Sequence, residues 1–142
     1  MGKIISVTNQ KGGVGKTTTA INLSACLALS GRKVLVVDID PQGNATSGLG
    51  VTLSAGQKGL YELLIGNSSL EQAIYPTAIE TLKIIPSSVN LSGAEIELVP
   101  EENREKKLRA VLAGADQEFE FVIIDCPPSL GLLTLNALTA SN

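Results

Sequence analysis

The sequence predicts an α/β protein, a mostly parallel sheet flanked by helices on both faces. Three observations carry this. Short aliphatic runs recur at residues 3–8, 33–38, 82–85 and 119–125. Segments of helical periodicity lie between them, the alternation expected of α/β architecture. Hydrophobic residues make up 44% of the chain but aromatics only 3%, so the core is built from Ile, Leu, Val and Ala. Such aliphatic strands suit a parallel sheet buried on both faces. The 142 residues are enough for one domain with one sizeable core.

Taken in order, Lys-Ile-Ile-Ser-Val-Thr at 3–8 reads as a buried strand, and 9–15 as a glycine-rich loop. Residues 16–30 read as a helix with Leu23, Cys26 and Leu27 on one face, which places Cys26 in the core. Gly31 supplies the left-handed residue that ends it. Lys-Val-Leu-Val-Val-Asp at 33–38 is a second strand, completing a strand–loop–helix–strand unit expected to be right-handed. Residues 41–55, with Gly43, Gly48 and Gly50, read as loop. Helices are expected at 60–65, 70–74, 91–99 and 104–113, and a strand at 82–85 stopped by Pro86. The mixed charges of 101–107 suit a solvated helix face with Glu-to-Lys pairing. A further strand at 119–125 ends at Cys126-Pro127-Pro128, and a last helix begins at 130.

Composition narrows the function. A net charge of −3 makes the whole chain no polycation, so nucleic-acid binding must come from a local patch or from residues outside this chain. Two distant cysteines and no histidine give neither a disulfide framework nor a metal-ligand cluster, and a reducing, cytosolic setting is expected. No secretory signal is visible. No apolar run is long enough to span a bilayer, and no membrane partner is expected. Residues 1–6 fit a myristoylation pattern, but they run straight into an aliphatic strand, and a chance match is the better reading.

The segment Lys11-Gly12-Gly13-Val14-Gly15-Lys16-Thr17-Thr18 follows a strand and opens a helix. Glycines let backbone N–H groups converge on a phosphate without side chains in the way. The helix N-terminus adds unpaired donors and partial positive charge. Lys16 can then reach the β- and γ-phosphates, Thr17 can place its hydroxyl on Mg²⁺, and Thr18 can touch the α-phosphate side. ATP and Mg²⁺ are the expected ligands.

Two acidic sites end strands. Asp38 and Asp40 close the second strand in Val-Val-Asp-Ile-Asp-Pro-Gln-Gly-Asn, and Asp125 closes Phe-Val-Ile-Ile-Asp, the Walker B form. Ligands of a parallel α/β sheet bind beyond the carboxyl ends of its strands. Asp38 and Asp125 suit Mg²⁺ roles through water, and Asp40 suits orienting the attacking water. The plainer alternative for Asp38 and Asp40 is capping of a loop beside Pro and Gly. Cys126 is expected to be a packed small residue.

The general phosphate-loop pattern would put glycine at position 10, which is Gln10, and here Lys11 follows instead. This is the deviant Walker A form, and it resembles the P-loop subclass that includes ParA, MinD and the nitrogenase iron protein. The flanks, Asp38-Ile39-Asp40-Pro41-Gln42-Gly43-Asn44-Ala45-Thr46 and Asp125-Cys126-Pro127-Pro128-Ser129-Leu130-Gly131, resemble the ParA/Soj branch that partitions chromosomes and plasmids. A MinD-like chain would show other flanks, and the iron protein would need cluster cysteines in settings this chain lacks. The loop starts almost at Met1, with no helix-turn-helix segment before it, so the resemblance is to the small chromosomal members.

The resemblance implies a P-loop ATPase fold of which residues 1–142 form the N-terminal part of a single domain. It implies catalytic roles for Lys11, Lys16 and Asp40. Residues Lys11 to Thr18 would bind nucleotide, and Thr17, Asp38 and Asp125 would serve the metal. Lys11 would reach across an ATP-bound homodimer to its partner's phosphates, and Gly12 would allow the two loops to approach. The family's ATP dimer binds DNA without sequence preference, here through the C-terminal part not in this chain, and a ParB-like partner stimulates hydrolysis. A cytoplasmic, nucleoid-associated protein is implied. Two alternatives stand beside this: a MinD-like membrane-cycling ATPase, and a truncated chain without activity of its own. Shortening the domain is expected to leave the strand at 3–8 as an open edge.

Overall fold

A computed structural model describes residues 2–8, 16–128 and 131–141, with the backbone alone for Lys16 and Thr17. Its centre is a five-stranded sheet made of β1 (Lys3–Val7), β2 (Val34–Asp38), β3 (Tyr75–Pro76), β4 (Leu82–Ile85) and β5 (Phe121–Asp125). The order is β1-β5-β2-β4-β3. The first four are mutually parallel, and the two-residue β3 runs antiparallel to β4. β1 and β2 do not pair, because β5 lies between them. β1 is an edge strand among the described residues, as expected for the strand at 3–8.

Each strand alternates its side chains between two cores. Val34, Val36, Leu82, Ile84 and Ile123 face one layer, formed by α1 (Lys16–Leu29) and α2 (Asn44–Gly48) through Ala20, Ala28 and Ala45. Leu35, Val37, Ile85, Val122 and Ile124 face the other. That layer holds α3 (Leu60–Leu64), α5 (Leu91–Glu97), α6 (Lys107–Val111), α7 (Ala115–Glu118) and α8 (Leu132–Ala140). The short α4 (Leu70–Ala73) carries Ser69 as N-cap, with Gln72 closing a reciprocal capping box. Helices on both faces of a mainly parallel sheet are therefore the observed architecture.

α1 ends as expected: Gly31 sits at φ 92 and donates to the Ala28 carbonyl. Its buried stripe differs from the expected one. Ala20, Ser24 and Ala28, four residues apart, meet the sheet, whereas Cys26 is exposed and Leu23 is 37% exposed. Cys26 is thus not a core residue, because small side chains let the helix lie close on the strands along a different face. Cys126 is buried as expected.

The expected loop at 41–55 contains α2, entered through Gly43 at φ 68. A Cβ on Gly48 would come 2.4 Å from Ile21 Cδ1, so α2 seats closely on α1 there and a larger residue would make the end of the Ile21 side chain move. The expected helix at 104–113 is a 3₁₀ turn (Arg104–Lys106) followed by α6. Asn136, fully buried on α8, secures it by accepting from Leu108 N–H at 3.0 Å and donating to the Arg104 and Leu132 carbonyls. The charge run before α6 is largely solvent-facing, with Lys107 3.9 Å from Glu101 across the loop rather than along a helix face.

Candidate functional site

Register fixes the site. Asp125 pairs with Val7 on one side and with Asp38 on the other, at the carboxyl ends of three neighbouring parallel strands. Ile39 N–H donates to the Asp125 carbonyl, and Cys126 N–H to the Val7 carbonyl, so the three chain exits are tied together. β1 leaves this row toward the glycine loop, and α1 begins at Lys16. Lys11, Gly12, Gly13, Val14 and Gly15 lie outside the described residues. Lys16 and Thr17 open α1 in their backbone, and Thr18 follows on an exposed position of the same helix.

Asp38 is fully buried. Removal from water pushes its carboxyl up to about 6, with the Asp125 charge adding to this; the hydrogen bonds it accepts from Thr46 and from Asp40 N–H act the other way. Thr46 donates to Asp38 Oδ2 twice, from its hydroxyl at 2.7 Å and from its N–H at 2.8 Å. Asp40 N–H donates to Asp38 Oδ1 at 3.2 Å.

Asp40 is 3% exposed. Its Oδ1 accepts from Gln42 N–H at 3.0 Å, and its carbonyl accepts from Gly43 N–H at 2.9 Å. The loop-capping part of the sequence reading is therefore real, whatever else the carboxylate does. Ser87, just after β4, donates its hydroxyl to the Asp40 carbonyl at 2.5 Å and its N–H to Thr46 Oγ1 at 2.9 Å.

The sequence alone assigns no role to Thr46 or Ser87. Thr46 lies in the quoted acidic segment, but only the fold shows that its hydroxyl reaches Asp38, and nothing in the sequence singles out Ser87. Beside them lies a cleft of about 330 Å³, walled by Gln42, Ser47, Val51, Leu53 and Ser88. A cleft of about 390 Å³ opens at the other end of the sheet, around Gly2, Arg32 and Glu120. It sits where strands begin, the wrong end for a ligand of a parallel sheet. Among the described residues no three His, Cys, Asp or Glu side chains group to hold a metal. No described helix is long and apolar enough to cross a membrane.

A strand leading into a helix through a glycine-rich, two-lysine sequence, with carboxylates ending the neighbouring parallel strands, defines an α/β protein of the P-loop NTPase fold. The chain belongs to the AAA domain family, whose model matches residues 2–142. It is 56% identical over 142 residues to sporulation initiation inhibitor protein Soj of Bacillus subtilis (strain 168), covering 100% of this chain and 56% of that protein. It is 51% identical to chromosome partitioning protein ParA of Myxococcus xanthus (strain DK1622), covering 100% of this chain and 50% of that protein. The fold superposes with a TM-score of 0.94 on a crystal structure of cobyrinic acid a,c-diamide synthase from Mycobacterium smegmatis with bound ADP and magnesium. That protein is 45% identical, and the match covers 99% of this chain and 57% of that one. The resemblance to ParA and Soj thus extends over the whole sequence. The chain spans about half the length of the curated relatives it matches.

Proposed function

We propose that this chain forms the nucleotide site of an ATP-hydrolysing partition protein that moves chromosomes or plasmids. The observation that carries the reading is the row Val7–Asp125–Asp38, which sets two buried carboxylates beside the strand that leads into Lys11-Gly12-Gly13-Val14-Gly15-Lys16-Thr17-Thr18. Backbone N–H groups of that segment and the Lys16 ammonium take the phosphates of ATP. Thr17, with Asp38 and Asp125 acting through water, holds Mg²⁺. Two adjacent buried carboxylates with hydroxyl donors beside them are a fitting oxygen environment for that ion. Bound there, magnesium neutralises charge on the β- and γ-phosphates. Asp40 orients the attacking water, and Lys11 completes the site of a second subunit in an ATP-bound homodimer.

For the whole protein, the names of the Soj and ParA relatives support partitioning as the task. The reading extends to non-specific DNA binding by the dimer, a ParB-like partner that stimulates hydrolysis, and a cytoplasmic place at the nucleoid. The test is calorimetric titration of the 142-residue chain with ATP and Mg²⁺, alongside Lys16→Ala. Heat of binding that vanishes in the variant supports the phosphate site. Equal binding by both proteins rejects it.

A further inference from the structure

Around the two acidic residues the hydrogen bonds close into a ring. Asp40 N–H meets Asp38 Oδ1, and Thr46 meets Asp38 Oδ2. Ser87 N–H then meets Thr46 Oγ1, and the Ser87 hydroxyl returns to the Asp40 carbonyl. All four residues are buried, with Thr46 the most exposed at 6%. A hydroxyl has one proton to give. Because Ser87 N–H occupies an acceptor position on Thr46 Oγ1, and the Asp38 carboxylate can only accept when ionised, the Thr46 proton is committed to Asp38. Both oxygens of Asp38 are thereby fixed, and so is the plane of its carboxylate. The same ring holds the Asp40 backbone at its N–H and its carbonyl.

We infer that Thr46 and Ser87 are positioning residues: together they orient the Asp38 carboxylate toward the metal and hold Asp40 in place beside it. This rests on the nucleotide-site reading above. Neither residue touches nucleotide in the proposal; each acts through an aspartate. Partners of this kind, one step removed from a metal, typically alter its affinity about 10–100-fold when lost.

The experiment compares ATP affinity of the 142-residue chain in EDTA and in excess Mg²⁺. The variants are Thr46→Val, which replaces the hydroxyl at nearly equal volume, and Thr46→Ser, which keeps it. Expected is unchanged affinity in EDTA for all three proteins. Thr46→Val should lose roughly tenfold or more of the gain that Mg²⁺ brings, and Thr46→Ser should retain it. A full magnesium gain in Thr46→Val overturns the inference. So does an equal loss in both buffers, which marks a purely structural residue. If the unsubstituted chain binds ATP in neither buffer, the nucleotide-site reading itself fails and the inference falls with it, an outcome distinct from the other two.

Discussion

Asp38 and Asp125 face each other in register at the ends of neighbouring parallel strands, and both are fully buried. A carboxylate that burial and a like-charged neighbour push from 3.8 to about 6 binds its proton more tightly in the folded chain than in the unfolded one. Its contribution to stability is therefore present in full below the unfolded value and is lost as pH rises through the folded one. The window is pH 4 to 6. At about 1.4 kcal/mol per pKa unit, the loss is on the order of 2–3 kcal/mol. We expect the nucleotide-free, metal-free chain to lose stability across this window relative to Asp38→Asn, measured as the difference between their melting temperatures at each pH. Parallel curves for the two proteins would show that Asp38 does not titrate there.

The Asn136 side chain ties α8 to the start of α6 and the 3₁₀ turn before it with two hydrogen bonds, and makes a third within α8. Truncation deprives the Leu108 N–H of its acceptor, and losing a buried partner costs about 1–3 kcal/mol. Asn136→Ala should lower the urea midpoint accordingly with no change in the slope of the transition. Wild-type stability in the variant would mean that water replaces the amide.

The two cysteines differ in access. Cys26 is exposed and Cys126 buried. In the native 142-residue chain an aromatic disulfide reagent should modify one thiol rapidly and the second only after denaturant is added. Cys26→Ser should abolish the rapid phase and leave the slow one. No rapid thiol would contradict the observed seat of α1, and two would contradict the burial of Cys126.

Strands rich in Val, Ile and Leu and ending in Asp announce both their own positions and the row of carboxylates at their ends, because a parallel sheet gathers strand ends at one edge. The same logic does not reach α2. Asn-Ala-Thr-Ser-Gly is a poor helix sequence, and its turn is held by packing on α1. β3 is two residues long and includes Pro76, acceptable only at a sheet edge. Cys26 lies outside the core because the alanine and serine stripe, not the leucine-bearing face, allows the closer approach. Thr46 and Ser87 escaped notice for another reason: 41 residues separate them, and neither hydroxyl carries meaning until the fold supplies its partner.

The placement of β5 also governs when the row of carboxylates can form. Strand pairing brings Lys3 beside Phe121, so β1 finds this neighbour only after β2, β3 and β4 have been made. Closing so long a loop costs chain entropy before any contact repays it. Until β5 enters, β1 and β2 share no ladder, and Asp38 has no Asp125 beside it. Any partly folded form lacking β5 therefore lacks the carboxylate row as well.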